Sequence, residues 1–268
     1  QKKAMVQSAL RTIRWFDVSE DTVACLVMPA AFIGGKMMLI RAIVGGWSLY
    51  VQRPSRLPSV KLPCDFVAMT VAQAKELIRK SSESWSQLRT VLLGGSPVEP
   101  HWIQKMPSGP VVFESFGMTE TISHFAIRRL KPNWEEFFQC VEGFEVCSDA
   151  DDLLEVLFAD GTCLKTTDVV KVQSRTSFQW LGRKDEVINS GGIKIHPAQV
   201  EKEMAHLIHE PFRAYGEPHI TWGSQVVLRI HASKPPANAL QLEQQLIAWA
   251  RQNLPPNHAP KRIEWKAL

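Results

Sequence analysis

The sequence predicts an α/β protein with a large N-terminal domain of mixed and parallel sheets and a small C-terminal α+β domain. In the first 120 residues, short apolar runs typical of strands alternate with segments typical of helices, a pattern that indicates a parallel sheet. From about residue 122 short strands follow one another, and after Asp185 a smaller set of helices and strands begins. We therefore predict domains at residues 1–184 and 185–268.

Each element of the first half has its own local signal. Residues 4–16 place apolar side chains at helical spacing, and residues 37–44 form an apolar helix that the pair Gly45-Gly46 closes. A further helix is predicted over residues 71–80, and Pro97 suits the first turn of the helix that follows it. The predicted strands are residues 23–28, 48–51, 65–70, 90–93 and 111–113.

The second half is predicted to be richer in short strands. Ala159-Asp160-Gly161 is typical of a hairpin turn between two of them. The predicted strands before Asp185 are residues 122–127, 153–158, 169–173 and 177–181. Beyond Asp185 we predict helices over 197–209 and 239–253, and strands over 225–231 and near 262–266.

Composition excludes several classes of protein. The chain has 268 residues, 45% of them hydrophobic, which is enough for a sizeable core. A net charge of +4 from 31 basic and 27 acidic residues suits an enzyme that handles anions and gives no reason to expect nucleic-acid binding. Five cysteines without a CxxC pair argue against a zinc site or a disulfide framework and make the cytoplasm the expected location. No apolar run reaches the roughly 20 residues of a membrane helix, so no membrane association is expected.

The strongest chemical signal is the run FESFGMTET, from Phe113 to Thr121. It combines a strand end, a glycine turn, and a hydroxyl beside a carboxylate, namely Thr119 and Glu120. Strand ends of a parallel sheet are where such folds bind ligands, and a threonine with a glutamate can hold Mg²⁺ and a phosphate oxygen together. Taken alone, an ordinary turn with a solvated glutamate is the commoner explanation.

A second signal runs from Trp180 to Pro197. An aromatic strand ends in Gly-Arg, and charged residues and then a double glycine follow it. The glycines permit close backbone approach or a positive φ, and Arg183 could reach a hydroxyl or a phosphate. A surface hairpin would explain this segment equally well.

Together the two motifs resemble the adenylate-forming superfamily of acyl-CoA synthetases, luciferases and peptide-synthetase adenylation domains. Phe116–Glu120 is similar to its Tyr-Gly-x-Thr-Glu motif, and GRKDEVINSGGIKIHPAQVE, from Gly182, is similar to its hinge motif. Thr166-Thr167-Asp168 resembles its Thr-Gly-Asp, and Leu93–Pro97 resembles its Gly-Gly-Ala-Pro adenine loop. Residues 33–38 and 118–124 are most similar to short bacterial 2-succinylbenzoate–CoA ligases of menaquinone biosynthesis.

The resemblance implies a two-step reaction with ATP, Mg²⁺ and coenzyme A. A carboxylate attacks the α-phosphate of ATP, which gives an acyl-adenylate and pyrophosphate, and the thiol of coenzyme A then displaces AMP. Such chemistry needs positioning and charge neutralisation. The implied roles are Glu120 as Mg²⁺ ligand, Thr119 on a phosphate oxygen, Phe116, Gly117, Gly94, Gly95 and Ser96 around adenine, Asp168 and Arg183 on the ribose, Asp185 as hinge, and Gly191 and Gly192 along the pantetheine channel.

The second carboxylate of 2-succinylbenzoate needs a cationic or hydrogen-bonding partner. The candidates are Ser123, His124 and Lys36, with Arg41 as a further residue whose place on an apolar helix favours a structural role. Ser123 and His124 follow the FGMTE motif directly and should border the acyl pocket. A structural hydrogen bond is the equal alternative for His124, and a solvated side chain is the equal alternative for Lys36.

Two segments of the family pattern do not occur in the sequence. They are the Gly/Ser/Thr-rich phosphate loop and the late Gly-Lys pair, and we expect both just outside the ends, beside residues 4–16 and Pro260-Lys261-Arg262. If the gene lacks them, a non-catalytic adenylate-binding protein is the competing class. Another aryl- or acyl-CoA ligase and an adenylation enzyme that loads a carrier protein stay open. A homodimer is a candidate on base rates alone.

Overall fold

The computed structural model describes residues 2–267 and contains one sheet of eleven strands and one of five. The helices are α1 (Lys2–Phe16), α2 (Ile33–Gly45), α3 (Val71–Lys80), α4 (Ser82–Ser86), α5 (Pro100–Lys105), α6 (Pro197–Met204) and α7 (Ala239–Asn253). The strands of the large sheet are β1 (Val23–Leu26), β2 (Ser48–Val51), β3 (Cys64–Thr70), β4 (Leu88–Gly94), β5 (Val111–Gly117), β6 (His124–Lys131), β7 (Phe138–Cys140), β8 (Phe144–Ser148), β9 (Leu153–Phe158), β10 (Cys163–Ser174) and β11 (Ser177–Arg183). Those of the small sheet are β12 (Ile188–Ser190), β13 (Ile193–Ile195), β14 (Phe212–His219), β15 (Gly223–His231) and β16 (Arg262–Lys266).

The first five strands form the predicted parallel array, in the order β2-β1-β3-β4-β5. Both faces of this array are covered, as its continuous apolar strands require. On β3, Phe66 and Ala68 join the core on the side of α1 and α2, whereas Val67 and Met69 join the core under α3, α4 and α5. The α/β prediction is therefore confirmed.

The rest of the large sheet is antiparallel and continues without a break from β5 to β6. The strand predicted over 122–127 begins at His124 and runs to Lys131, because a turn occupies the residues before it. In that turn the Thr121 hydroxyl accepts from Met118 N (3.0 Å) and donates to Ser123 O (2.6 Å). Two short strands, β7 and β8, were not predicted.

The small sheet has the order β13-β12-β15-β14, and β16 pairs with β15. A 3₁₀ turn, Lys184–Glu186, connects it to the end of β11. The sheet packs with α6 and α7 around a core of its own, in which Ile188, Val226 and Ile263 are buried. The division of the chain into domains at residues 184 and 185 stays a prediction.

One prediction about the small-sheet half was wrong, and strands β12, β13 and β14 were not predicted. The helix expected over 197–209 ends at Met204, and strand β14 was missed because Gly216 and Pro218 interrupt its apolar pattern. A proline is tolerated there since β14 is an edge strand.

Within residues 2–267, no helix combines the length and apolar character needed to cross a membrane.

Candidate nucleotide cleft

A cleft of about 1330 Å³ opens at the carboxyl ends of β4 and β5 and extends to the small sheet. This is the edge at which parallel sheets bind ligands. Residues from both sequence motifs line it together. The predicted site residues in its lining are Gly95, Ser96, Phe116, Gly117, Glu120, Asp168, Arg183 and Asp185.

The loop that follows β4 needs its glycines for two separate reasons. Gly95 has φ +86°, a left-handed conformation that glycine adopts without strain. Gly94 lies so close to β5 that a Cβ there would be 2.8 Å from Ser115 Oγ. The Ser115 hydroxyl donates to Leu93 O at 2.8 Å and so fixes the start of the loop. Gly94 itself is not in the cleft lining.

Phe116 forms an aromatic wall of the cleft. Its ring packs edge-on against three other phenylalanines, Phe125, Phe138 and Phe178, with centroids 5.3–5.7 Å apart. The ring is half-buried and lines the cleft. The part of the ring that faces the cleft can contact a planar ligand, and the core behind it holds the ring in place.

The turn after Phe116 carries the hydroxyl and carboxylate of the motif. Ile122 closes it with φ +69°, an unusual conformation for a β-branched residue and one that clusters at functional sites. Thr119 and Glu120 are both exposed, and Glu120 lines the cleft whereas Thr119 does not. No ion-pair partner of Glu120 is found among residues 2–267, and the same residues hold no cluster of three metal-ligating side chains.

Asp168 is oriented by its neighbours on the antiparallel part of the sheet. The residue is 7% exposed, and Oδ1 accepts from Trp180 Nε1 at 3.0 Å. Arg183, directly opposite in the β10–β11 register, places Nη1 at 3.9 Å from the same oxygen. Oδ2 has no hydrogen-bond partner within the described chain, so it is free to accept from a ligand.

Ser123 and His124 lie outside the cleft lining, in a buried network around Arg41. The guanidinium donates to Thr12 Oγ1 (3.2 Å) and Ser123 Oγ (3.2 Å) and contacts His124 Nδ1 (3.4 Å). Burial, together with the Arg41 charge, holds the pKa of His124 well below its usual value. Lys36 is exposed on α2 and takes no part in this network, so the structure separates it from the other two substrate candidates.

Arg41 is 2% exposed, and no carboxylate of residues 2–267 lies within ion-pair distance of it. Burial lowers the pKa of Arg41 to about 10. A buried cation is normally paired with an acid, whereas here the neutral side chains of Thr12, Ser123 and His124 surround the guanidinium. Its place on an apolar helix indicated only a structural role, since the lack of an acidic neighbour is visible only in three dimensions.

The glycine pair predicted for coenzyme A forms the turn between β12 and β13. Gly191 and Gly192 have φ +58° and +83° and are exposed, and neither lines the cleft. Gly191 N donates to Trp222 O at 2.9 Å. The expected hinge residue, Asp185, is exposed in the 3₁₀ turn between the sheets and does line the cleft.

The small sheet contributes charged residues that no motif predicted. Glu201, Lys202 and Arg213 all line the cleft. Lys202 pairs with Glu136 of the large-sheet half. Arg213 lies 3.7 Å from Glu99 of that half and 3.6 Å from Glu201. Burial raises the pKa of Glu201 to about 7. No local sequence pattern signals these residues, because their partners are 66 to 114 positions away or sit on another element.

Comparison with known proteins places this geometry in a family. Residues 2–141 match the family described as AMP-binding enzyme. The 2-succinylbenzoate–CoA ligase of Listeria monocytogenes is 27% identical over 253 residues, covering 80% of this chain and 52% of that protein. The enzyme of the same name from Bacillus pumilus is 24% identical over 229 residues, covering 72% and 47%. The chain thus spans about half the length of these curated relatives.

Solved structures give the same result. An AMP-forming acyl-CoA synthetase/AMP-acid ligase II-like protein from Dyadobacter fermentans has 31% identity and a TM-score of 0.65, covering 98% of this chain and 78% of that one. The O-succinylbenzoate coenzyme A synthetase of Bacillus subtilis, in complex with ATP and magnesium, has 16% identity and a TM-score of 0.75, covering 98% and 62%. With a family match over just over half of its length and this fold, the chain belongs to the adenylate-forming AMP-binding enzyme family.

Proposed function

We propose that the protein is an ATP- and Mg²⁺-dependent acid–thiol ligase whose acid is 2-succinylbenzoate. The observation that carries the proposal is the cleft itself. The glycine loop after β4, the Phe116–Glu120 segment, and the Asp168 and Arg183 pair come from distant parts of the sequence and line one cavity. Its size and position suit a nucleotide.

In the first step a carboxylate oxygen bonds to the α-phosphorus of ATP, and the bond from that phosphorus to the departing pyrophosphate breaks. Phe116 and the Gly95–Ser96 loop hold the base, and Asp168 accepts from ribose hydroxyls through its free oxygen. Trp180, by occupying Oδ1, keeps that carboxylate in one orientation. These residues contribute by positioning the reactants rather than by covalent chemistry.

Glu120 would hold the Mg²⁺. Magnesium is usually bound by one or two carboxylates together with substrate phosphates and water, and a solvent-accessible carboxylate at the cleft with no ion pair in the described chain fits that requirement. When bound, the ion neutralises phosphate charge. Thr119, beside it in the turn, would donate its hydroxyl to a phosphate oxygen.

In the second step the thiolate of coenzyme A attacks the acyl carbon, and AMP leaves. We place a hinge at Asp185 between domains 1–184 and 185–268, about which the small domain turns between the steps. The short 3₁₀ turn that joins the two sheets and the separate core of the small sheet support this. Gly191 and Gly192 would line the path of the pantetheine arm in the second orientation.

The names of the curated relatives and the state of Arg41 support 2-succinylbenzoate as the acid. That molecule keeps one free carboxylate while the other is activated. Arg41, a guanidinium without an acidic partner in the described chain, would bind that free carboxylate in a state in which the acyl pocket opens to it, since Arg41 does not line the cleft here. Ser123, which accepts from the same guanidinium, would help to orient it.

Nucleotide binding is the first test. Titration calorimetry with AMP and with ATP plus Mg²⁺ should give a single site on the protein, with micromolar to millimolar affinity. If no heat above dilution is observed at millimolar nucleotide, the protein does not bind adenine nucleotides and the proposal is wrong.

Substrate choice is the second test. Pyrophosphate release should require an acid, and 2-succinylbenzoate should give a higher kcat/KM than benzoate or a fatty acid of similar length. A preference for a monocarboxylate would contradict the assigned acid while leaving the ligase chemistry intact. ATP binding without acid-dependent pyrophosphate release would favour a non-catalytic adenylate-binding protein.

A further inference from the structure

One buried carboxylate in the cleft lining has no role in the reaction described above. Glu114, on β5, is 4% exposed, and both of its oxygens are engaged. Oε1 accepts from the backbone N of Val98 at 2.9 Å. Oε2 accepts from Arg128 Nε at 2.8 Å and lies 2.7 Å from Nη2. Glu114 is therefore held by a loop on one side and a strand on the other.

The loop in question is the one that follows β4. Its start is fixed where Ser115 Oγ donates to Leu93 O, and its end is fixed where Val98 N donates to Glu114. Two consecutive β5 residues thus hold both ends of the segment from Leu93 to Val98. Phe116, the aromatic wall of the cleft, is the next residue on that strand.

Arg128 carries the connection to the aromatic wall. Its guanidinium lies 4.5 Å from the centre of the Phe138 ring, and Nη1 donates to Glu136 O at 3.2 Å. Phe138 packs against Phe116 with centroids 5.3 Å apart. One Glu–Arg pair, with side chains 5% and 12% exposed, therefore ties the glycine loop to the wall that faces it.

We propose that Glu114 is a positioning residue that fixes the spacing between the Gly95–Ser96 loop and Phe116, and through it the fit of the nucleotide base. This inference rests on the proposed function, since it concerns the same cleft. It assigns a function to Glu114 without direct contact with the nucleotide. Flat bases tolerate little change in the width of a stacking slot, since contact energy falls steeply over a fraction of an ångström.

Glu114→Gln is the decisive variant because it keeps the size of the side chain. An amide has one acceptor and one donor end, so whichever way it turns, its NH₂ faces either Val98 N–H or Arg128. The loop or the wall must then shift. We expect the Kd for AMP and the KM for ATP to rise about 10- to 100-fold, the effect of losing a charge-assisted hydrogen bond, while kcat changes less than about 3-fold.

A spectroscopic readout separates positioning from general weakening of the fold. The fluorescence of 2-aminopurine riboside 5′-monophosphate is quenched when its base stacks on an aromatic ring. When this nucleotide analogue is bound at saturation, its fluorescence should be strongly quenched in the wild type and clearly less quenched in Glu114→Gln. Equal quenching in both proteins would contradict a change in the spacing between the Gly95–Ser96 loop and Phe116.

Two further variants complete the design. Glu145→Gln removes the ion pair between Glu145 and Arg175, neither of which lines the cleft, and should leave KM, Kd and quenching unchanged. Arg128→Lys keeps the positive charge but loses the planar guanidinium, whose two N–H groups reach the same carboxylate. It should raise the Kd for AMP less than Glu114→Gln does. If Glu114→Gln does not fold, Arg128→Lys decides, and an unchanged Kd would overturn the inference.

The outcomes also separate this inference from the proposed function. A wild type that binds no adenine nucleotide contradicts the function itself. A wild type that binds AMP, with Glu114→Gln binding it equally well, contradicts only the role of Glu114. A variant with lowered kcat and unchanged KM would also contradict it, because the effect would then lie in the chemical step.

Discussion

The two sides of the cleft are built from different interactions. On the large-sheet side, Phe116 is backed by Phe138 and Phe178 in the core, and the Glu114–Arg128 pair is buried. On the small-sheet side, the contacts with the large-sheet half include ion pairs of partly exposed side chains, next to one packing contact between His101 and Phe212. Packed aromatic cores resist displacement, whereas exposed ion pairs break at little cost. This contrast agrees with the proposed function, in which the large sheet holds the nucleotide and the small domain moves.

The largest expected difference between the two sides is the contribution of side-chain packing to the free energy of unfolding. Phe138 is 2% exposed and stacks on Phe178 at 5.6 Å, so Phe138→Ala should lower the free energy of unfolding by about 3–5 kcal/mol. The control is Ile220→Ala, at a fully exposed turn of the small sheet. This variant should change the free energy of unfolding by less than about 0.5 kcal/mol. Both are measured by urea denaturation. Similar losses for the two variants would remove the contrast between the sides.

Glu201 gives the small-sheet side a pH dependence. Its folded pKa, about 7, exceeds the ordinary 4.5 because burial outweighs Arg213 and the Ala214 N–H bond, while Glu99 and Glu186 raise it further. The native state binds the extra proton, so this group stabilises the fold at acidic pH and the contribution is lost as pH rises from about 4.5 through 7. At about 1.4 kcal/mol per pKa unit, that amounts to roughly 3 kcal/mol.

The matching variant is Glu201→Gln, which keeps an acceptor for Ala214 N. Denaturation at pH 5 and pH 8 should show a wild type that loses stability between the two values and a variant that loses about 2.5 kcal/mol less over the same range. Parallel pH profiles for the two proteins would show that the carboxyl is not buried in solution.

A smaller effect is expected for the ribose contact on the large-sheet side. Asp168→Asn retains an oxygen for Trp180 Nε1 but removes the charge, so the Kd for AMP should rise about 10- to 100-fold. Asp151→Asn is the control, since Asp151 pairs with Lys184 and Lys194 outside the cleft lining. Equal affinities of Asp168→Asn and Asp151→Asn for AMP would exclude Asp168 from the binding site.

The smallest effect is expected where the two sides touch. Lys202 and Glu136 are 30% and 38% exposed, so Lys202→Met should lower the free energy of unfolding by less than about 1 kcal/mol. The difference from wild type should shrink in about 1 M NaCl, where charges are screened beyond about 3 Å. A loss well above 1 kcal/mol that salt does not reduce would mean that the contact is not primarily ionic.

The sequence predicted the large-sheet half better than the small-sheet half, for physical reasons. Buried parallel strands are continuous apolar runs with glycine or proline at their ends, so β1 to β5 and the glycine loop could be located from local pattern alone. Strand β14 is an edge strand with Gly216 and Pro218 in it, and its identity depends on a pairing with β15 in which Phe212 lies opposite Ile230.

The same distinction holds for the site. Phe116, Glu120, Asp168 and Arg183 belong to short motifs whose local order is retained in the fold. Glu201 and Arg213 become cleft residues only because the small sheet lies against the large one. No spacing rule connects such positions, so they could not be predicted.

A crystal structure of the protein grown with AMP tests the central claim most directly. We expect the base between the Gly95–Ser96 loop and Phe116, and the ribose hydroxyls on Asp168. AMP bound at another surface, with this cleft empty at saturating nucleotide, would contradict it.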